Sequence, residues 1–178
     1  MEIRRQRKCF IILIAVAITA YFFSPYVFAE DFFVAKVQKV LEGDKILLQG
    51  GTVVQYMGIN APRTRVSNQI FQDIALAALQ LNKKLVEGKT VRLEIVMPSS
   101  ISTEDSRKFA YVFIGGRMVN ALLVKKGLAV VSDTYPPAQK YQSFFSRAQQ
   151  QAVLSKAGIW QKIQTQKQNG SVSDYAFQ

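Results

Sequence analysis

From residue 33 to residue 40, apolar and polar positions alternate loosely, with Ala35 and Val37 set against Lys36 and Gln38. That period of two predicts a β-strand. Glu42-Gly43-Asp44 reads as a turn, Lys45 to Leu48 as a second strand, and Gln49-Gly50-Gly51 as a hairpin turn. Thr52 to Ile59 reads as a third strand, which Asn60-Ala61-Pro62 ends because proline cannot donate to a ladder. The period then changes. Ile70, Ile74, Ala77, Ala78, Leu81 and Leu85 recur at helical spacing and make one apolar face, stopped by Gly88.

Val91, Leu93 and Ile95 alternate with Arg92, Glu94 and Val96, which predicts a fourth strand; a polar loop follows over 98–105. Phe109 to Ile114 is a fifth strand, ended by Gly115-Gly116. Val119 to Lys126 reads as a short helix with Gly127 as its stop, and Leu128 to Val131 as a brief extended segment. A last helix is expected from Ala138 to Ala157, closed by Gly158, with Tyr141, Phe144, Phe145, Ala148 and Ala152 as its buried stripe. Residues 162–178 are polar and glutamine-rich and are expected to form a loose, flexible tail. Three strands, a helix, two strands and two helices suit a mostly β, α+β domain. The architecture expected is a five-stranded Greek-key barrel of OB type with three helices, although periodicity alone does not fix the topology.

The start of the chain follows a different grammar. Arg4, Arg5, Arg7 and Lys8 precede an almost purely apolar run from Cys9 to Phe23, broken by Ser24-Pro25. Val27-Phe28-Ala29 then supplies a small-residue cleavage site before Glu30 and Asp31. Residues 1–29 thus read as a secretory signal peptide, with residues 30–161 as the folded domain. Such a protein would be exported: secreted, periplasmic or held at the cell envelope. The alternative is an uncleaved membrane anchor through residues 9–28, which just reaches the roughly 20 residues needed to span a bilayer.

Composition removes whole classes of chemistry. The chain has no histidine, and its single cysteine is Cys9, within the apolar run. Histidine bases, serine–histidine triads and zinc–thiolate sites are therefore excluded. Any metal would have to be a hard cation held by oxygens. The net charge is +11, and four basic and one acidic residue within 1–29 leave +8 for the rest. That surplus suits a nucleic acid or another polyanion.

Local phrases then become informative. Val40-Leu41-Glu42-Gly43-Asp44-Lys45, Val54 through Gly58-Ile59-Asn60-Ala61-Pro62-Arg63, Arg107-Lys108-Phe109-Ala110-Tyr111-Val112, Met118-Val119-Asn120 through Gly127-Leu128-Ala129, and Ala157-Gly158-Ile159-Trp160 occur in this order. Together they resemble the staphylococcal-nuclease-like (thermonuclease) family over about residues 33–161. The resemblance implies an OB barrel and a calcium-dependent phosphodiesterase acting on DNA and RNA. In the family, two carboxylates and a carbonyl hold calcium, a glutamate contacts the attacking water, and two arginines clamp the phosphate.

Placed on this sequence, the first calcium carboxylate is Asp44, the second position is Asn60, and the carbonyl belongs to Ala61. The glutamate position is Arg63, the first arginine position is Gln55, and the second is Arg107. Carboxylates fall from three in the family to one here. Arginine offers donors only and cannot take a proton from water. Losing one charge-stabilising group typically costs roughly 10²–10³ in rate. Bland readings stand beside these: Asp44 as a turn former, Arg107 as a surface cation, Gln55 as a solvated residue on a strand face. Glu104 or Asp105 could in principle replace a ligand.

Three functions remain open. The first is a non-catalytic module in which Arg63, Arg65, Arg107 and Lys108 bind nucleic acid or another polyanion directly, with no cofactor. The second is a weak or altered nuclease, with calcium as cofactor and Asp44 as a metal ligand. The third is a structural or protein-interaction role. The oligomeric state is not legible.

Overall fold

A computed structural model describes residues 32–65, 69–97 and 107–168. The expected signal segment or anchor, the polar loop with Glu104 and Asp105, and the last ten residues lie outside the described residues. Strands β1 (Phe33–Glu42), β2 (Lys45–Leu48) and β3 (Val53–Tyr56) form an antiparallel meander. A short β4 (Ile59–Asn60) precedes helix α1 (Gln69–Val86). Strands β5 (Thr90–Val96), β6 (Lys108–Ile114) and β7 (Arg117–Met118) follow, then α2 (Val119–Lys125), β8 (Val130–Val131), α3 (Gln139–Leu154) and α4 (Ile159–Gln168).

The sheet order is β3-β2-β1-β5-β6-β7, and parallel pairing of β3 with β6 closes β1, β2, β3, β5 and β6 into a barrel. Closure leaves these strands no long unpaired edge. The α+β barrel expected from the sequence is therefore present. Two register shifts in the β1–β2 ladder, between Val37 and Lys39 and between Val40 and Glu42, let the ten-residue β1 curl around it. Val37, Ile46, Val54 and Leu93 fill the interior and are fully buried. Strand β6 breaks strict alternation, with Phe109 to Val112 all buried. Its outer side is covered too: Tyr111 packs against Tyr141 and Phe145 of α3, with ring centroids 4.5 and 6.1 Å away.

The structure departs from expectation at four places. The single third strand is two, because Gly58 takes φ +82° and turns β4 away to pair with β8. The buried face of α1 holds Ile74 and Ala78, as expected, together with Phe71, Ala75, Asn82 and Val86, while Ala77, Leu81 and Leu85 are its half-buried margins. Phe144 is not part of the buried stripe of α3; it is 47% exposed. The domain has four helices rather than three among the described residues, because Ile159–Gln168 form helix α4, whose residues 162–168 fall where a loose tail was expected. A polar composition does not prevent a helix once Ile159, fully buried, anchors its first turn.

Candidate functional site

The site is built on the turn between β1 and β2. Gly43 lets the turn approach α1: a Cβ there would lie 2.6 Å from the Cβ of Ala78 and 3.0 Å from that of Ala61. Asn82 of α1 is fully buried and fastens the turn. Its Nδ2 donates to the carbonyls of Glu42 (3.3 Å) and Gly43 (3.1 Å), and its Oδ1 accepts from the Tyr56 hydroxyl at 2.7 Å. Burial pushes the Tyr56 phenol far above its ordinary range, with the Asn82 bond opposing, so Tyr56 remains a donor. Sequence reasoning passed over Asn82. The signal was a lone amide at i+11 of an apolar helical face that begins at Phe71.

The turn delivers Asp44 to the interior. Its carboxylate is fully buried. Oδ2 accepts from the backbone N–H of Ala61 at 3.0 Å, and Oδ1 accepts from Arg63 Nη1 at 2.9 Å. The Asp44 carbonyl accepts from the Tyr56 N–H at 2.8 Å and from Gln55 Nε2 at 3.0 Å. The reading of Gln55 as a solvated residue is thereby corrected, since it is only 5% exposed. It alternates with Val54 of the interior and so lies on the outer face of β3, where it is buried beside the Asp44 turn. Its Oε1 is buried without a partner. Glu42, at the other end of the turn, draws the same loop in through Thr64, whose N–H and hydroxyl each lie 3.4 Å from its carboxylate.

The structure thus brings Asp44, Gln55, Ala61 and Arg63 into one bonded group. Asn60 sits beside it in β4, half-buried and paired with Val130. Arg65 follows Arg63 in the same loop and is exposed. Lys108 opens β6, exposed and in register with Val54. Arg107, half-buried, holds its guanidinium 5.8 Å from the centroid of the Phe109 ring. Within the group, Asp44 and Arg63 cancel in charge. Arg65, Arg107 and Lys108 are the cations on the adjoining loop and strand.

A closed five-stranded barrel with a buried aspartate on the first turn and arginines on the following loop and strand defines a nuclease-type OB domain. The chain belongs to the staphylococcal nuclease homologue family, whose model matches residues 53–162. It is 33% identical over 144 residues to the SPbeta prophage-derived endonuclease YokF of Bacillus subtilis, an alignment covering 79% of this chain and 46% of that protein. It is 32% identical over 129 residues to a thermonuclease of Staphylococcus intermedius, covering 71% of this chain and 75% of that one. A second Bacillus subtilis protein, endonuclease YncB, is 31% identical over 129 residues, which is 61% of its length. The chain therefore spans about half of YokF and under two thirds of YncB.

Proposed function

We propose that this chain binds the phosphodiester backbone of nucleic acid and does not perform calcium-assisted hydrolysis. The observation that carries this reading is the ion pair between Arg63 and the buried Asp44 at 2.9 Å. A hard cation needs several anionic or carbonyl oxygens turned toward it. Here both Asp44 oxygens are engaged, one by a permanent cation. Asn60 is neutral, and among the described residues no three acidic side chains gather to hold a metal. The residues present do not fit calcium. Arg63 occupies the role of positive charge beside Asp44 that a metal would otherwise take, and it cannot serve as a base.

Binding needs no metal. Arg65 and Lys108 are exposed, and Arg107 flanks Lys108. Arginine and lysine hold phosphate through charge-assisted hydrogen bonds. Two or three phosphate contacts on a single strand give a log–log salt slope of about −1.4 to −2, at roughly −0.7 per contact. Relatives named as endonucleases and thermonucleases support nucleic acid as the polyanion. Export is part of the proposal: Val27-Phe28-Ala29 before Glu30 would give a mature chain beginning at Glu30, which intact-mass measurement of the exported protein checks.

The deciding experiment measures anisotropy with a fluorescent oligonucleotide at several salt concentrations, with and without calcium, alongside a cleavage assay. Salt-sensitive binding that calcium leaves unchanged, with an intact oligonucleotide, is expected. Calcium-dependent products that vanish in Asp44→Ala would establish the nuclease reading instead. No binding at low salt would leave the structural role.

A further inference from the structure

A second basic surface lies on different elements. Between α2, α3 and β7 opens a groove of about 630 Å³. Met118, Leu122 and alanine side chains from both helices line it, and Phe144 stands within it, 47% exposed. Arg117, Lys125 and Arg147 also line it, all exposed. No acidic residue is among the lining residues, and none of these three cations is ion-paired among the described residues. An ordinary solvated helix face mixes charges of both signs and keeps large aromatic side chains inside. A rimmed apolar hollow of this kind marks a binding surface.

The surface continues across the sheet. Cross-strand partners form one row, Val34–Arg92–Phe113–Met118, which links the start of β1 to the groove. Paired residues share a face. Val34 is 61% exposed, and the Arg92 guanidinium lies 3.9 Å from the Phe32 ring centroid and 5.1 Å from that of Phe113. Apolar groups and cations are thus interleaved along it. In sequence, only residues 24–32 separate β1 from the apolar run that ends at Phe23.

We propose that this surface docks on anionic phospholipid. Acyl carbon enters the groove against Met118, Leu122 and Phe144, and Arg117, Lys125 and Arg147 hold headgroup phosphate. The charge calls for an anion, and the mainly aliphatic lining calls for one that carries hydrocarbon. Phe144 is the one aromatic side chain lining the groove, whereas a single-strand nucleic-acid platform would offer several aromatic faces there for successive bases. On the export reading proposed above, residues 1–29 would bring the chain to a membrane whether cleaved or retained. Each basic residue close to an anionic bilayer strengthens attachment roughly fivefold.

The test labels the full chain with phenylglyoxal and reads modification at each arginine by mass spectrometry. The arms are vesicles of phosphatidylcholine alone, vesicles containing phosphatidylglycerol, free glycerol phosphate, and oligothymidylate. The expected result is a several-fold fall in labelling at Arg117 and Arg147 with phosphatidylglycerol vesicles only, with Arg65 unchanged. Phe144→Ser should weaken that protection while the thermal melt stays in place. Equal labelling in both kinds of vesicle overturns the proposal. So does equal protection by glycerol phosphate, which lacks acyl carbon, or by the oligonucleotide, which would make the groove a nucleic-acid surface.

Discussion

The Asp44 turn and the α2–α3 groove both carry arginine, and they use it in opposite ways. At the turn, Arg63 lies 2.9 Å from a carboxylate with no exposed surface, so its charge is spent inside the molecule. In the groove, Arg117 and Arg147 stand over apolar side chains, with no carboxylate in the lining. The same side chain is structural in one place and available in the other. What separates them is a buried anion, and a net charge of +8 after residue 29 does not reveal where that anion sits.

The largest expected effect breaks the pair at the turn. Arg63→Ala leaves the Asp44 charge buried and uncompensated. A fully buried pair would lose roughly 3–5 kcal/mol on such a change. Because the Arg63 side chain is 36% exposed, about 2–3 kcal/mol is expected, allowing for solvent screening. In an Asp44→Asn background the same substitution should cost far less. Urea unfolding of the four proteins measures this, and equal losses in both backgrounds would erase the contrast between the two regions.

Removing the amide that fastens the turn comes next. Asn82→Ala strands the Tyr56 hydroxyl and the carbonyls of Glu42 and Gly43. A loss of about 2 kcal/mol is expected, within the range of roughly 1–3 for buried groups left unsatisfied. Tyr56 adds a pH signature to the same region. Its folded pKa lies above the ordinary value of 10.0. Below pH 10 both the folded and unfolded states keep the proton, so there is no effect. Above it the unfolded chain releases the proton and the folded one does not, so stability falls with rising pH, by up to about 1.4 kcal/mol per unit. Tyr56→Phe should flatten that alkaline limb, as chemical unfolding between pH 9 and 11 would show.

The smallest effect belongs to the groove. Arg117→Glu with Arg147→Glu should change stability by no more than about 0.5 kcal/mol, because neither residue satisfies a buried charge. A larger loss in the same urea titration would mean that these arginines, too, are structural. The sharpest chemical contrast rebuilds the turn: Gln55→Arg, Asn60→Asp and Arg63→Glu together replace the internal cation with carboxylates. Calcium should then raise the melting temperature of the triple variant and not that of the wild type. No calcium effect on a well-folded triple variant would show that side chains alone do not account for the difference from the family pattern.

Much of the fold was legible because strands and helices announce themselves locally. Period-two stretches at 33–40 and 91–96, the helical face from Ile70, and the ordered phrases from Val40 to Trp160 all lie within short windows. The family and the barrel followed from them. The α1 face was displaced by about one position, because an apolar count ignores a buried polar residue such as Asn82. Phe144 was misplaced because an aromatic at helical spacing normally faces the core.

By itself, the sequence determined the order of the five barrel strands and of the first three helices described, the family, the absence of histidine chemistry and the identity of each residue at the candidate site. Only the tertiary structure decided what those residues do to one another. Arg63 meets Asp44 across 19 positions of chain, and Gln55 meets the Asp44 carbonyl across 11. Both contacts exist only because β3 is sealed between β2 and β6 while the 61–65 loop folds back over the turn. Burial then makes the choice. A carboxylate removed from water must find a cation or hydrogen-bond donors, and which partner is within reach is a property of the closed barrel rather than of any window of sequence.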